Sequence, residues 1–293
     1  MIIVENVIKK HINKNILNDV TLSIEGVYGL IGPNGAGKTT LMRAIAGLVP
    51  IQSGEIKIEK ESNLNDIKYF HKNIGYLPQD FNTFPRLTVF ECLEHIALLK
   101  GINDKKERKD KIHQVIEEVN LLDKLNTKMN KLSGGMRKRV GIAQMFLSNP
   151  DILIIDEPTA GLDLYERIRF RNLLLKVAAD RTVILSSHIV EDIEFLCTKI
   201  GVMSKGNVLK EGTPAEIANL AHGRVWNIRS NKEDLAGLLG SYDVINITHE
   251  EDGTYDVRVL ADQQPPSSVS VKPSLTDGYV SLLSERNEEN ARV

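Results

Sequence analysis

Residues 32–39 read GPNGAGKT, which places three glycines, a lysine and a threonine within eight positions. The order matches G-x-x-x-x-G-K-[ST], a loop whose backbone N–H groups surround phosphates. The short apolar run at residues 27–31 before it is typical of a buried strand, and the apolar residues after it recur at helical spacing. Because a helix N-terminus offers unpaired N–H groups and the positive end of a dipole, this strand–loop–helix unit predicts a nucleoside triphosphate site.

Each position of this loop has a predicted contact. Lys38 should reach the β- and γ-phosphates, and the hydroxyl of Thr39 should bind Mg²⁺. The other positions bring backbone N–H groups that can point at one anion. The predicted nucleotide-binding residues of the loop are Gly32, Pro33, Asn34, Gly35, Ala36, Gly37, Lys38, Thr39 and Thr40.

An apolar run at residues 152–155 ends in two acids, Asp156 and Glu157. An acid at the end of a buried strand beside a phosphate loop can hold the hydration shell of Mg²⁺, and this acid would be Asp156. Glu157 should point the other way along the pleat, where it can serve as general base for an attacking water. The alternative is a strand that ends in two solvated acids, and the presence of the phosphate loop disfavours it.

A second candidate anion site lies at residues 132–139, which read LSGGMRKR just before a helical run. Ser133, Gly134 and Gly135 would open that helix and expose its N-terminal N–H groups. The chain then has two phosphate sites but one lysine-bearing loop. A head-to-tail pair resolves this, because Lys38 of one subunit and residues 133–135 of the other can close over the same γ-phosphate.

Together these motifs resemble the nucleotide-binding subunits of ABC transporters, whose signature is LSGGQ. Met136 stands here in place of the glutamine, which we expect to alter dimer contacts without abolishing function. The resemblance spans residues 2 to about 220. It implies that Gln79 in YLPQDF touches Mg²⁺ or water, that Asp163 in AGLDL crosses the dimer interface, and that His188 in SSH contacts the γ-phosphate.

Many such subunits stack adenine on an aromatic residue of the first hairpin. The resemblance places His11 at that position, where an imidazole offers less stacking area than a tyrosine ring. The alternative is an exposed turn histidine without contact to the base. The departure leaves selectivity for ATP over GTP open.

The order of the elements predicts an α/β fold. We expect a P-loop ATPase core with a parallel sheet, an N-terminal antiparallel β subdomain and a helical signature subdomain at about residues 85–150. The ATP-binding domain should cover residues 1–220, and a small α/β-type accessory domain should cover residues 225–293.

Capping boxes are predicted at Thr88-x-x-Glu91 and Ser274-x-x-Asp277. One helix face is predicted to contain Ile112, Val115, Ile116, Val119 and Leu122.

Composition limits the remaining possibilities. The 293 residues suffice for one large domain and a small one, and the formal net charge of −2 provides no basic field for nucleic acid. Cys92 and Cys197 form no metal or redox motif and are interpreted as buried or semi-buried free thiols of a reducing compartment. No apolar run approaches the ~20 residues that a membrane span requires. We expect a cytoplasmic chain that is peripheral to the inner face of the membrane.

The leading hypothesis is an ATP- and Mg²⁺-dependent subunit that dimerises around two ATP molecules and drives export through a separate multi-span permease. The resemblance is greatest to ATP-binding subunits of bacterial ABC-2-type exporters of drugs, lantibiotics or sodium. One alternative is a non-transport ABC protein acting on ribosomes or DNA, but those usually carry two cassettes or a long coiled coil, and about ninety residues separate loop and signature here. Another is a slow regulatory dimer, which Glu157 and His188 disfavour.

Overall fold

The computed structural model describes residues 1–12, 14–58, 73–79, 81 and 84–291, with side chains described as far as residue 284. The chain forms two compact units, residues 1–208 and 209–293. Within the described ranges, no helix has both the length and the apolar character needed to cross a bilayer.

The first unit alternates strands with helices over most of its length. Its strands are β1 (Ile2–His11), β2 (Lys14–Ile24), β3 (Val27–Ile31), β4 (Ser53–Ile58), β5 (Ile74–Leu77), β6 (Ile152–Ile155), β7 (Thr182–Ser187) and β8 (Lys199–Ser204). Its helices are α1 (Lys38–Ile45), α2 (Val89–Leu99), α3 (Lys105–Glu118), α4 (Gly134–Phe146), α5 (Leu164–Ala178) and α6 (Val190–Leu196). The next strand, β9 (Asn207–Gly212), crosses the boundary between the units.

Two sheets form the framework of this unit. Strands run parallel in the order β5-β6-β7-β3-β8, and β2-β1-β4 form an antiparallel sheet. All four residues of β6 are buried, as expected for a parallel strand covered on both faces. Tyr28, Met42 and Ile45 belong to a core that also includes residues of β1 and β2. The predicted fold class is thereby confirmed.

In the helical segment between β5 and β6, the predicted capping box is confirmed and the predicted placement of Leu122 on a helix face is wrong. The capping box at the start of α2 is confirmed, since Thr88 Oγ1 accepts from the Glu91 N–H and the Thr88 N–H donates to Glu91 Oε2 at 2.7 Å. The buried face of α3 continues only as far as Val119. Leu122 is 48% exposed because α3 ends at Glu118 and a separate 3₁₀ turn begins at Leu122.

The second unit packs helices with an antiparallel sheet of order β11-β12-β10-β13. Its strands are β10 (Val225–Ser230), β11 (Asp243–His249), β12 (Tyr255–Leu260) and β13 (Ser268–Ser270). Its helices are α7 (Pro214–Ala218), α8 (Leu235–Ser241) and α9 (Leu275–Ala291).

The segment before residue 225 groups with this unit, so the predicted domain limits at 220 and 225 both lie inside it. Helix α9 approaches α7 at Gly278, where a Cβ would lie 1.9 Å from the carbonyl oxygen of Ile217. A glycine is therefore required at that contact. This contact packs α7 on α9 within the second unit.

A buried ion pair connects β12 to the start of α9. Asp277 is fully buried, and Arg258 donates from Nε to Oδ1 at 3.0 Å and from Nη2 to Oδ2 at 2.6 Å. Burial by itself would raise the pKa of Asp277, but hydrogen bonds from Arg258 and from the Ser274 backbone and hydroxyl outweigh it and hold that pKa below its ordinary value of 3.8. The capping box predicted at Ser274 is confirmed, because the Ser274 N–H donates to Asp277 Oδ2 at 2.6 Å and the Asp277 N–H donates to Ser274 Oγ at 3.4 Å.

Asp277→Asn should destabilise the second unit by about 3–5 kcal/mol, because it leaves the Arg258 charge without its buried partner. Urea unfolding followed by the emission of Trp226, the single tryptophan, reports on this unit directly. Because the folded pKa is lowered, the ion pair contributes fully above the ordinary value of 3.8, and its contribution is lost as the pH falls through the lowered pKa. The difference between wild type and variant should therefore shrink in acid.

Asp252→Asn is the matched control, since Asp252 pairs with Arg229 in the same unit but is exposed. It should change the unfolding midpoint far less than Asp277→Asn. Equal effects of the two substitutions would contradict the importance assigned to the buried pair.

Candidate functional site

A cleft of about 1020 Å³ opens where the loop after β3 enters helix α1. It brings most of the predicted phosphate loop together with the three residues assigned to catalysis. The lining residues are Lys14, Asn15, Ile16, Asn34, Gly35, Ala36, Gly37, Lys38, Thr39, Thr40, Gln79, Glu157, Ala160, His188, Lys205 and Gly206.

The entry into α1 has the backbone that an anion site requires. Gly37 is the N-cap residue, with a φ of 103°, and a Cβ there would lie 2.9 Å from the carbonyl oxygen of Ile16. No acidic residue occupies the first turn of the helix. The N–H groups of that turn therefore face the cleft region without a competing carboxylate on the helix itself.

Lys38 is the first residue of α1 and is 6% exposed. Its Nζ donates to the carbonyl oxygens of Gly32 at 2.7 Å and Pro33 at 3.2 Å. Burial lowers the pKa of Lys38, and the nearby negative charges of Glu157 and Asp156 act in the opposite direction. The loop thus holds the ammonium group that is predicted to bind the phosphates.

Three predicted catalytic residues meet at a single carboxylate oxygen. Gln79 Nε2 donates to Glu157 Oε2 at 3.1 Å, and His188 Nδ1 lies 3.3 Å from the same oxygen. The predicted reason for the orientation of Glu157 is wrong, since β6 ends at Ile155 and Glu157 has a left-handed φ of 44°. A turn, and not the alternation of a strand, directs its side chain.

Asp156 is 1% exposed, and its two carboxylate oxygens differ in environment. Oδ1 accepts a hydrogen bond from the Ser186 hydroxyl at 2.5 Å. Oδ2 is buried and has no hydrogen-bond partner among the residues that the structure describes. Asp156 therefore keeps one acceptor oxygen without a hydrogen-bond partner, and its charge acts on Lys38 of the phosphate loop, although Asp156 is not among the residues that line the cleft.

The signature residues lie outside the cleft lining. Ser133 is the N-cap of α4, and its Oγ accepts from the Met136 N–H at 3.2 Å. Ser133 and Gly134 are exposed, whereas Gly135 is buried. Asp163 is exposed and caps α5 in the same way, and none of these four residues lines the cleft.

His11 ends β1 as an exposed residue opposite Lys14. It is not among the residues that line the cleft, although Lys14, Asn15 and Ile16 are. The predicted contact between His11 and the base stays a prediction. Lys14, Asn15 and Ile16 belong to β2, and the sequence analysis did not predict that β2 lines the cleft.

Two further side chains were missed because they act through contacts distant in sequence. Lys138, in the basic run that follows the signature, donates to the carbonyl oxygens of Glu157 at 3.3 Å and Ala160 at 2.7 Å. Ser186 accepts from the Glu157 N–H at 2.8 Å and donates to Asp156. The apolar run TVILSS ends in two serines, and this pattern could have indicated that Ser186 lies at the site.

Comparison with known proteins identifies the family. Residues 17–160 match the family model described as ABC transporter. An uncharacterized ABC transporter ATP-binding protein, YhcH of Bacillus subtilis, is 30% identical over 97% of this chain and 96% of its own length.

The chain belongs to the ABC transporter family.

Other members of the ABC transporter family support the same assignment. The linearmycin resistance ATP-binding protein LnrL of Bacillus subtilis is 33% identical over 76% of this chain and 72% of its own length. The dimeric structure of a post-hydrolysis state of the ATP-binding cassette MJ0796, bound to ADP and Pi, is similar with a TM-score of 0.65 and 29% identity, over 73% of this chain and 98% of that one. This chain is an ABC-type ATPase that binds and hydrolyses ATP.

The predicted base contact of this ATPase can be measured at His11. We expect His11→Tyr to tighten ATP binding by about threefold, because a larger ring stacks over more of the base. Titration calorimetry with a slowly hydrolysed ATP analogue gives the affinities. Ile16→Ala, in the observed cleft wall, is the comparison. Unchanged affinity for His11→Tyr together with weaker binding by Ile16→Ala would assign the contact to β2 instead.

Proposed function

We propose that this ABC subunit hydrolyses ATP within a head-to-tail homodimer and drives export through a separate multi-span permease. The observation that carries the proposal is the division of the predicted site. Gln79, Glu157 and His188 meet inside the cleft, whereas Ser133 and Asp163 lie outside it. One chain thus presents two incomplete halves of a nucleotide site.

A second copy supplies the missing half in this proposal. The exposed N-terminus of α4 begins at Gly134 after the Ser133 cap and has no acidic residue in its first turn, so it suits a phosphate brought by another chain. Asp163 lies at the corresponding end of α5, on the surface. The dimeric cassette to which this chain is similar supports the pairing.

Mg²⁺ fits the residues present. Asp156 Oδ2, which is buried and has no hydrogen-bond partner among the described residues, is a suitable oxygen for a hard cation, directly or through water, and Thr39 and Gln79 line the cleft. Among the described residues, no group of three or more His, Cys, Asp or Glu could hold a metal. Bound Mg²⁺ would neutralise charge on the β- and γ-phosphate oxygens.

The proposed reaction assigns one task to each side chain. The Lys38 ammonium and the loop N–H groups hold the phosphates in place. Glu157 accepts a proton from water as the water oxygen bonds to the γ-phosphorus, and the bond from that phosphorus to the oxygen of ADP breaks. Gln79 and His188 orient the Glu157 carboxylate, since both lie within 3.3 Å of Oε2.

Glu157→Gln should slow turnover strongly and trap the dimer. The amide keeps the size of the carboxylate but cannot act as a base, which typically costs roughly 10²- to 10⁴-fold in rate. The substitution also removes a negative charge beside the γ-phosphate, and this loss of repulsion favours the ATP-bound dimer. Size-exclusion chromatography with light scattering should show a shift from monomer to dimer with ATP but not with ADP.

Two outcomes would contradict this scheme. Hydrolysis at the wild-type rate would remove Glu157 from the mechanism. A variant that stays monomeric at saturating ATP would show that the pair does not form from this chain alone.

Export through a permease is supported by the similarity to LnrL, a linearmycin resistance ATP-binding protein. In this arrangement the subunit is cytoplasmic and bound to the inner face of the membrane. Co-expression with a multi-span protein encoded beside this chain should yield a complex whose ATPase rate exceeds that of the isolated subunit. Sedimentation of the chain with ribosomes, and no complex with the membrane protein, would favour the non-transport alternative.

A further inference from the structure

Ser186 lies at the end of β7 and connects the two acids that follow β6. Its side chain is fully buried. The hydroxyl donates to Asp156 Oδ1 at 2.5 Å and accepts from the backbone N–H of Glu157 at 2.8 Å. A single oxygen atom therefore contacts both the proposed metal ligand and the proposed general base.

The first contact decides which oxygen of Asp156 is available. Oδ1 is occupied by Ser186, while Oδ2 is buried without a partner among the described residues. Because the residue is 1% exposed, bulk water does not compete for its orientation. Removing the hydroxyl would leave both oxygens unsatisfied and free the carboxylate to rotate.

The second contact holds Glu157 in an unfavourable backbone conformation. Glu157 has a φ of 44°, which is uncommon for a residue with a side chain and persists only where surrounding contacts hold it. The Ser186 hydroxyl accepts from the Glu157 N–H. The Glu157 carbonyl oxygen accepts from Lys138 Nζ and from the Ala160 N–H, each at 3.3 Å. From this turn the Glu157 side chain reaches Gln79 and His188.

We propose that Ser186 is a positioning residue for the ATPase reaction, which directs Asp156 Oδ2 toward Mg²⁺ and fixes the turn that presents Glu157. The inference rests on the proposed function, because it takes the metal and base roles of those two acids from it. Residues that orient a metal ligand typically contribute 10- to 100-fold to metal affinity or activity.

Ser187 provides a matched control. It is the next residue, it is also buried, and its Oγ accepts from the Ile189 N–H at 2.9 Å. Ser187→Ala thus removes a buried hydroxyl from the same strand end but keeps the Ser186 contacts to Asp156 and Glu157. It controls for general damage to β7.

The experiment compares wild type, Ser186→Ala, Ser186→Thr and Ser187→Ala. Binding of a slowly hydrolysed fluorescent ATP analogue is measured in EDTA and across a Mg²⁺ titration, and thermal melting confirms that each variant is folded. For Ser186→Ala we expect the Mg²⁺ concentration for half-maximal tightening to rise roughly 10- to 100-fold, with affinity in EDTA changed less than about twofold. Ser186→Thr keeps the hydroxyl and should recover most of the loss.

The outcomes separate this inference from the proposal on which it rests. A wild type whose affinity is indifferent to Mg²⁺ would overturn the Mg²⁺ site and the role of Ser186 together. A Mg²⁺-dependent wild type with an unchanged midpoint in Ser186→Ala would overturn the role of Ser186 alone. Equal shifts in Ser186→Ala and Ser187→Ala would show general damage and would also overturn it.

Discussion

Parallel pairing of β6, β7 and β3 determines where the parts of the site can lie. The ladder sets Ile155 opposite Leu185 and Ile31 opposite Ser187. Because parallel strands end at a common edge, the loops that follow them leave the sheet side by side. The phosphate loop, the acids and the segment with His188 are those loops. A shift of one residue in register would reverse the faces of a whole strand and separate these groups.

The electrostatics of the cleft follow from this crowding. A lysine ammonium as buried as that of Lys38 would be costly without partners, and the carbonyl groups of Gly32 and Pro33 offset that cost. Glu157 and Asp156 add negative charge nearby. The loop backbone therefore fixes the position of its own cation, and a charge fixed in this way needs little reorganisation to interact with phosphate.

The sequence predicts those features that depend on neighbours in the chain. The glycine-rich loop, both capping boxes and the buried face of α3 each follow from residues a few positions apart, and the structure has them. The left-handed turn at Glu157 depends on contacts across 19 and 29 residues, from Lys138 and Ser186, which no local pattern encodes. The close approach of α9 to α7 likewise depends on Gly278 meeting Ile217, far apart in the sequence. Long-range packing thus accounts for the differences between prediction and structure.

The contacts of Lys138 give the subunit an internal linkage. This lysine lies on α4, one turn after the exposed signature end, and holds the carbonyl groups of Glu157 and Ala160 in the loop after β6. In the proposed pair, the end of α4 meets the nucleotide of the other chain. A displacement of that helix is then transmitted through one side chain to the loop that carries the base of its own chain. In the proposed dimer, nucleotide binding at one site would in this way alter the position of the general base at the other site.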